Sequence, residues 1–196
     1  LLPALSVGLF LLLKKQLKNV FSYYPILGIV GILLVTSPWY INVHLLTDGE
    51  WTKGFFIEHN LNRFGSEMEG HGGIFFITFG YVLLGLLPFS FFIPQALINS
   101  YKERKNNLIL FCSCITLVFV LFFCISSTKL PNYTMPCYPF LIILISNFIH
   151  KKLNFGFKKS DVISIVLLFV ISVTLPILIY FLLFNDSDLN QFRYLS

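Results

Sequence analysis

Ionisable side chains are concentrated in one short segment of this sequence. Between positions 58 and 71, six of fourteen residues are ionisable: Glu58, His59, Arg63, Glu67, Glu69 and His71. Carboxylate oxygens and imidazole nitrogens are ligands of divalent cations such as Mg²⁺, Mn²⁺ or Zn²⁺, and a guanidinium suits a phosphate. The E-x-E-x-H pattern is not a specific metal signature, however, and a solvated loop whose charges stay in water is the simpler interpretation.

A single lysine marks a second segment that could do chemistry. Residues 126–133 read S-S-T-K-L-P-N-Y, and long apolar runs flank Lys129 on both sides. Pro131, Pro136 and Pro139 interrupt the backbone hydrogen bonds of the following run, which a membrane helix tolerates where it faces protein or a water-filled cavity. An ammonium beside such a broken helix could bind a phosphate. The alternative is a lysine that extends its amine to water.

Two further patterns carry less chemistry. Asp186-Ser-Asp188 spells a D-x-D motif, but we interpret it as a solvated cap in a tail. The four cysteines lie in apolar runs without C-x-x-C spacing, which predicts small buried residues and neither a disulfide nor a zinc site: Cys112, Cys114, Cys124 and Cys137.

The composition determines which elements must position these residues. Of 196 residues, 56% are hydrophobic and only 12% are charged, against roughly a quarter charged in ordinary soluble domains. A soluble globule is excluded, because the polar side chains cannot cover a compact domain. Since a membrane helix needs about 20 apolar residues, we predict an all-α polytopic membrane bundle spanning 1–196. The predicted spans are 1–13, 20–38, 74–98, 108–126, 133–149 and 162–184.

The first span is too short to cross a membrane and begins inside an apolar run. We therefore expect five full spans, one truncated N-terminal span, and a chain that is an internal piece of a longer protein.

The basic residues predict the orientation of the bundle. Lysine and arginine are retained on the cytoplasmic side, and 10 of the 14 basic residues fall in three alternate loops, at 14–18, 102–105 and 151–159. The outer loops are then about 39–73, 127–133 and 185–196. The net charge of +5 is a topology signal and does not indicate nucleic acid. Residues 48–60 could form a short interfacial helix, with Trp51 and Phe55 one turn apart, or merely anchor a span end.

Two ordered motif blocks adjoin the predicted spans. The first comprises P-W-Y-I from Pro38, E-H-N-x-x-R-F from Glu58, H-G-G-I-F-F from His71 and G-L-L-P-F from Gly85. The second is S-S-T-K-L-P-N-Y-T-M-P-C-Y-P, from Ser126 to Pro139. Together they resemble the aminoarabinose-transferase-like members of the protein-mannosyltransferase superfamily, including the K-L-P-x-Y-x-x-P signature. The usual H-x-x-P-F-W pattern lacks its proline here.

The resemblance implies a GT-C type glycosyltransferase that uses a polyprenyl-phosphate sugar donor on the extracytoplasmic face. Its acceptor would be a lipid such as lipid A, or a protein. Arg63, Lys129 and Tyr133 would bind the donor phosphate, while His71, together with Glu69, would hold a divalent Zn, Mg or Mn ion. The expected location is the bacterial inner membrane, with the site facing the periplasm or exterior.

The family's catalytic carboxylate lies in a first outer loop near the N-terminus, and no predicted loop of this chain matches it. We therefore expect the chain alone to be inactive. Two other functions would also fit the residue content: a transporter or flippase of polyprenyl-linked sugars, and a purely structural membrane subunit. Motif content favours the enzyme over both.

Overall fold

The computed structural model describes residues 1–57 and 73–185, and within these ranges the chain is helical, with no β-strand. In chain order the α-helices are α1 (Leu2–Leu13), α2 (Pro25–Leu46), α3 (Glu50–Lys53), α4 (Ile77–Gly85), α5 (Ile93–Lys102), α6 (Asn107–Ile125), α7 (Tyr138–Phe155) and α8 (Lys159–Asn185). Short 3₁₀ helices at Leu17–Tyr23, Phe89–Phe92 and Pro131–Cys137 connect some of them.

Four of the described helical stretches are long and apolar enough to cross a membrane: Pro25–Leu46, Asn107–Ile125, Pro131–Phe155 and Lys159–Leu182. The third is a composite, in which the 3₁₀ helix that contains Pro136 continues directly into α7. Proline lacks the amide hydrogen that an α-helix needs, so the first turns tighten and the regular helix begins at Tyr138. The predicted class, an all-α polytopic membrane protein, is confirmed.

The second span is displaced from its predicted position. We predicted it at 20–38, but α2 occupies Pro25–Leu46. Pro25 lies in the first turn, where its missing amide hydrogen costs nothing, and Pro38 is accommodated inside the helix. The first helix is short, as predicted, with 12 residues. None of the residues of α2 is buried by the part of the chain that the structure describes.

The predicted span at 74–98 is not one straight helix but two helices joined by a sharp bend. The chain bends by 114° between α4 and the stretch Phe89–Lys102. Pro88 and Pro94 lack the backbone donors that a continuous helix would need there. The Ser90 and Phe92 side chains at the bend are 4% and 3% exposed, so the irregular backbone is covered by protein, as a membrane requires.

The two halves of this bent pair contact opposite ends of the bundle. In α4, the Thr78 hydroxyl donates to the Phe123 carbonyl, 3.2 Å away, near the end of α6. Just after α5, Glu103 accepts a 2.8 Å hydrogen bond from Asn147 and pairs with Lys151, both in the last turns of α7. Because α6 and α7 run in opposite directions through the bundle, the pair crosses from one end to the other as a broken span.

The core lies where α5, α6 and α7 meet. Ala96, Cys112 and Leu144 have no exposed surface. All four cysteines are buried free thiols, so the prediction that they are small buried residues is confirmed. The helix α1 packs against the outside of α6, where the rings of Phe10 and Phe111 meet edge to face at 5.5 Å.

The three predicted cytoplasmic loops meet at one end of the bundle. The Lys14 ammonium donates to the Lys105 carbonyl, 3.2 Å away, which joins the first loop to the second. Two adjacent lysines at the end of α7 make the other connections: Lys151 pairs with Glu103, and Lys152 lies 2.8 Å from the Asp161 carboxylate at the start of α8. This arrangement agrees with the common side that the positive-inside rule assigns to these loops.

The Lys152–Asp161 pair predicts a stability difference between two adjacent lysines. The Asp161 side chain is 3% exposed, so Lys152→Met leaves a buried carboxylate without its cation and should destabilise the bundle by about 3 kcal/mol. The matched control is Lys151→Met, because the Lys151 side chain is 42% exposed and such pairs contribute at most about 1 kcal/mol. Thermal unfolding of the detergent-solubilised protein measures both, and equal losses would contradict the prediction.

Candidate functional site

The connection between α6 and α7 forms the best defined polar site at the outer end. Thr128, Lys129 and Thr134 are 2%, 6% and 0% exposed, respectively. The Ser126 hydroxyl donates to the Thr128 carbonyl at 3.1 Å, which closes a tight turn directly after α6. This turn holds Lys129 beside the end of the helix, away from bulk water.

The Lys129 ammonium donates to the Ser126 carbonyl, 2.5 Å away. That carbonyl lies just past the last turn of α6, where a cation is favoured by the negative end of the helix dipole. Within residues 1–57 and 73–185, the ion pairs are those of Lys151 and Lys152, and neither involves Lys129. A lysine that extends its amine to water would be exposed, whereas Lys129 is 6% exposed.

Tyr133 lies in the 3₁₀ helix that follows this turn. Its amide donates to the Leu130 carbonyl at 3.1 Å, and its ring lies 4.9 Å from the ring of Phe123, measured between centroids. This aromatic contact joins the 3₁₀ helix that precedes α7 to the end of α6. Lys129 and Tyr133 are therefore on one connected turn, at the end of α6.

A tyrosine that the sequence analysis did not select connects this turn to the broken span. The Tyr138 hydroxyl donates to the Tyr81 carbonyl of α4 at 3.2 Å and shares a 3.2 Å hydrogen bond with the Thr134 hydroxyl. One helical turn after Tyr81, Gly85 lies against the same ring. No spacing in the sequence signals this contact, because the two tyrosines are 57 residues apart; the quoted motifs contain Gly85 and Tyr138 but do not pair them.

An aromatic cluster lies just before the loop rich in ionisable residues. The rings of Trp39, Tyr40, Trp51, Phe55 and Phe56 contact one another, and Trp51 stacks on Phe55 with centroids 5.0 Å apart. Within the segment 48–60, for which a short interfacial helix was one interpretation, the structure has the four-residue helix α3, Glu50–Lys53, and residues 58–60 lie outside the described ranges. A 3.0 Å hydrogen bond between the His44 ring and the Thr52 hydroxyl holds α3 against α2.

The other predicted site residues, Arg63, Glu69 and His71, lie outside the described ranges, as do Glu58, His59, Glu67, Asp186 and Asp188. Among the described residues there is no group of three or more His, Cys, Asp or Glu side chains that could hold a metal ion. The structure thus brings Lys129 and Tyr133 together, and their relation to Arg63, Glu69 and His71 stays a prediction.

Comparisons with known proteins identify similar chains. No family model matches the sequence. It is 30% identical over 147 residues to the undecaprenyl phosphate-alpha-4-amino-4-deoxy-L-arabinose arabinosyl transferase of Photorhabdus laumondii, covering 74% of this chain and 26% of the relative. The enzyme of the same name from Shewanella sediminis is 30% identical over 182 residues, covering 91% of this chain and 33% of the relative.

A solved structure shares the fold. The crystal structure of ArnT from Cupriavidus metallidurans bound to undecaprenyl phosphate superposes with a TM-score of 0.67 at 26% identity, covering 76% of this chain and 27% of that one. The chain therefore spans about a quarter to a third of the length of these relatives, which fits the expectation of a piece of a longer protein.

The contact between Gly85 and Tyr138 predicts a position where an added side chain displaces its neighbour. An added Cβ at Gly85 would overlap the Tyr138 hydroxyl and lie 2.7 Å from a ring carbon. Gly85→Ala must therefore push the ring off the Tyr81 carbonyl, and we expect a destabilisation of about 1–3 kcal/mol. Gly80→Ala in the same helix is the control, since its Cβ would meet nothing within 4 Å. Thermal unfolding of both variants checks this, and a neutral Gly85→Ala would contradict it.

Proposed function

Because the chain belongs to the family of the aminoarabinose arabinosyl transferases that it matches, we propose that the protein containing it is a GT-C type membrane glycosyltransferase. It moves a sugar from a polyprenyl-phosphate donor to a lipid acceptor such as lipid A, or to a protein acceptor. The reaction takes place at the extracytoplasmic face of the bacterial inner membrane. The described chain is a multi-pass membrane bundle, as this activity requires.

The buried ammonium of Lys129 is the observation that carries this proposal. It lies at the outer end of the bundle, 6% exposed, and donates to a backbone carbonyl rather than to a carboxylate of the described chain. A neutral carbonyl does not compensate the positive charge, so an anion that arrives there replaces no ion pair of the part of the chain that the structure describes. The relatives are named for an undecaprenyl-phosphate sugar, and the solved neighbour is bound to undecaprenyl phosphate.

The chemistry of sugar transfer explains why a buried cation is needed near the membrane face. A polyprenyl phosphate keeps its tail in lipid and its phosphate near the interface. As the bond between the sugar carbon and the phosphate oxygen breaks, negative charge grows on the phosphate. A fixed cation in a water-poor site stabilises that charge most in the transition state. Lys129 supplies such a cation, and Arg63 would supply a second with planar donors.

The remaining proposed roles rest on the family motif. Tyr133 follows Lys129 in the K-L-P-x-Y signature and would hydrogen-bond the same phosphate. His71 and Glu69 offer an imidazole nitrogen and a carboxylate oxygen, a donor pair that suits Zn²⁺ or Mn²⁺ and less well the oxygen-preferring Mg²⁺. A metal held there would add positive charge near the phosphate. The acceptor hydroxyl or phosphate oxygen would need a carboxylate base, for which neither Glu67 nor Glu69 is proposed.

A flippase of the same lipid is the second candidate function, because it also needs a cation at the membrane face. The two differ in their products: the enzyme forms a glycosylated acceptor without moving the donor across the bilayer, whereas the flippase moves the donor and forms no product. Proteoliposomes loaded with labelled donor separate them. Donor movement without a glycosylated product would overturn the enzyme assignment.

Substitution of Lys129 tests the phosphate site in the full-length protein. We expect Lys129→Gln to lower kcat/KM for the polyprenyl-phosphate sugar by about 100-fold, since one fixed transition-state donor is worth that much. Lys129→Arg should retain a larger part of the rate, because the charge remains. Lys18→Gln is the control, an exposed lysine in the first cytoplasmic loop. Unfolding temperatures exclude a folding defect, and unchanged turnover of a folded Lys129→Gln protein would refute the assignment.

Chelation tests the proposed metal pair. If His71 and Glu69 hold a catalytic divalent ion, then EDTA treatment of the full-length protein should lower sugar transfer, and added Zn²⁺, Mn²⁺ or Mg²⁺ should restore it. In His71→Ala the same ions should restore little activity. Full activity after chelation, with no metal detected by elemental analysis, would argue against a metal role.

A further inference from the structure

A large apolar groove runs along one side of the bundle. Its volume is about 620 Å³, within the range of about 300–1,000 Å³ typical of small-molecule sites. It is bounded by α1, α4, α5 and α6, and its walls include Leu9, Val82, Leu97, Leu117 and Leu121. Leu83, Leu97 and Leu117 are 46%, 43% and 50% exposed, so within the described residues the groove is open along its side.

The length of the groove matches one leaflet of a bilayer. Along α6 its wall extends from Leu110 to Leu121, which is about 16 Å at the rise of an α-helix. The hydrocarbon core of a bilayer is about 30 Å thick, so the groove covers about half of it. Leu110 lies near the start of α6, at the end where the cytoplasmic loops meet. Along α6, which spans Asn107–Ile125, the groove begins near the cytoplasmic end and extends past the middle of the helix.

Arg104 stands at the cytoplasmic end of this groove. Its guanidinium carbon lies 4.5 Å from the centroid of the Tyr101 ring, and Nη1 donates to the Tyr101 carbonyl at 3.0 Å. Both Arg104 and Tyr101 line the groove. These two contacts fix the guanidinium at the mouth and use one of its five N–H donors, so that the others remain able to meet an anion.

The charges around the mouth are predominantly positive. Lys102 and Lys105 flank Arg104 in sequence, and the hydrogen bond from Lys14 to the Lys105 carbonyl brings a third ammonium to this end. The nearby carboxylate, Glu103, is already paired with Lys151 and Asn147 on the far side of α5. Basic pockets between membrane helices on the cytoplasmic side are typical sites for anionic lipid headgroups.

We propose that this groove binds one acyl chain of an anionic phospholipid from the cytoplasmic leaflet, with the lipid phosphate on Arg104. An apolar slot of one leaflet's length and a cationic mouth match the two halves of such a lipid. The phosphate of the proposed sugar donor would bind elsewhere, because Lys129 lies at the opposite end of α6 from Arg104. The bound phospholipid fills the space between α1 and α4 and so completes the packing of the bundle.

The test uses the full-length protein, delipidated in neutral detergent and titrated with phosphatidylglycerol or phosphatidylcholine of the same acyl chains. Native mass spectrometry should show one phosphatidylglycerol bound, with at least tenfold preference over phosphatidylcholine. Arg104→Gln should abolish this preference, while Lys159→Gln, which removes an exposed charge from the same end, should keep it.

A second pair of variants tests the acyl slot independently of charge. Leu117→Trp fills the groove and should prevent binding of the lipid. Ile142→Trp, at a position of α7 with 51% exposure that does not line the groove, should leave binding intact. Unfolding temperatures confirm that each variant is folded. The proposal is overturned if Arg104→Gln binds phosphatidylglycerol as the unaltered protein does, if no lipid binds, or if undecaprenyl phosphate displaces the phospholipid one for one.

Discussion

In the hydrocarbon interior of a bilayer, a backbone polar group or a charge has no partner except the protein itself. This constraint explains why the described chain is helical throughout and why its charges gather at the two ends. It also explains why the irregular backbone stretches have their polar groups covered or hydrogen-bonded. The bend after α4 is covered by neighbouring side chains, with Ser90 and Phe92 buried, and the turn after α6 closes its own hydrogen bonds through Ser126 and Lys129.

The two ends of the bundle use their cations differently. At the cytoplasmic end, Lys151 and Lys152 are adjacent in α7 but hold different elements, one the loop after α5 and the other the start of α8. They act as structural connections between helices. At the outer end, Lys129 has only a carbonyl in the described chain. The cations that join helices at the cytoplasmic end are each paired with a carboxylate, Glu103 or Asp161, whereas within the described residues Lys129 is not.

Much of this architecture could be predicted from the sequence because hydropathy and charge act locally. The spans at 108–126 and 162–184 lie within a few residues of α6 and α8, and the positive-inside pattern grouped the three loops that meet. The bend after α4 was not predicted, because the residues L-L-P-F are equally apolar whether the helix continues or bends. Tyr138 was missed because its role depends on Gly85, which only the fold brings close. The sequence context singles out Lys129, whose role in phosphate binding stays a prediction, but it does not predict that the side chain is buried.

The packing of α1 against α6 sets an order for assembly in the membrane. The hydrogen bond from Lys14 to Lys105 joins residues 91 positions apart, and Phe10 meets Phe111 across the same interface. A membrane protein inserts its helices as the chain emerges, so α1 enters the lipid long before its partner exists. Until α6 is inserted, the apolar surface of α1 is in contact with lipid tails. The helix α1 can therefore complete its packing only after α6 has been inserted, and α7 and α8 follow α6 in the chain.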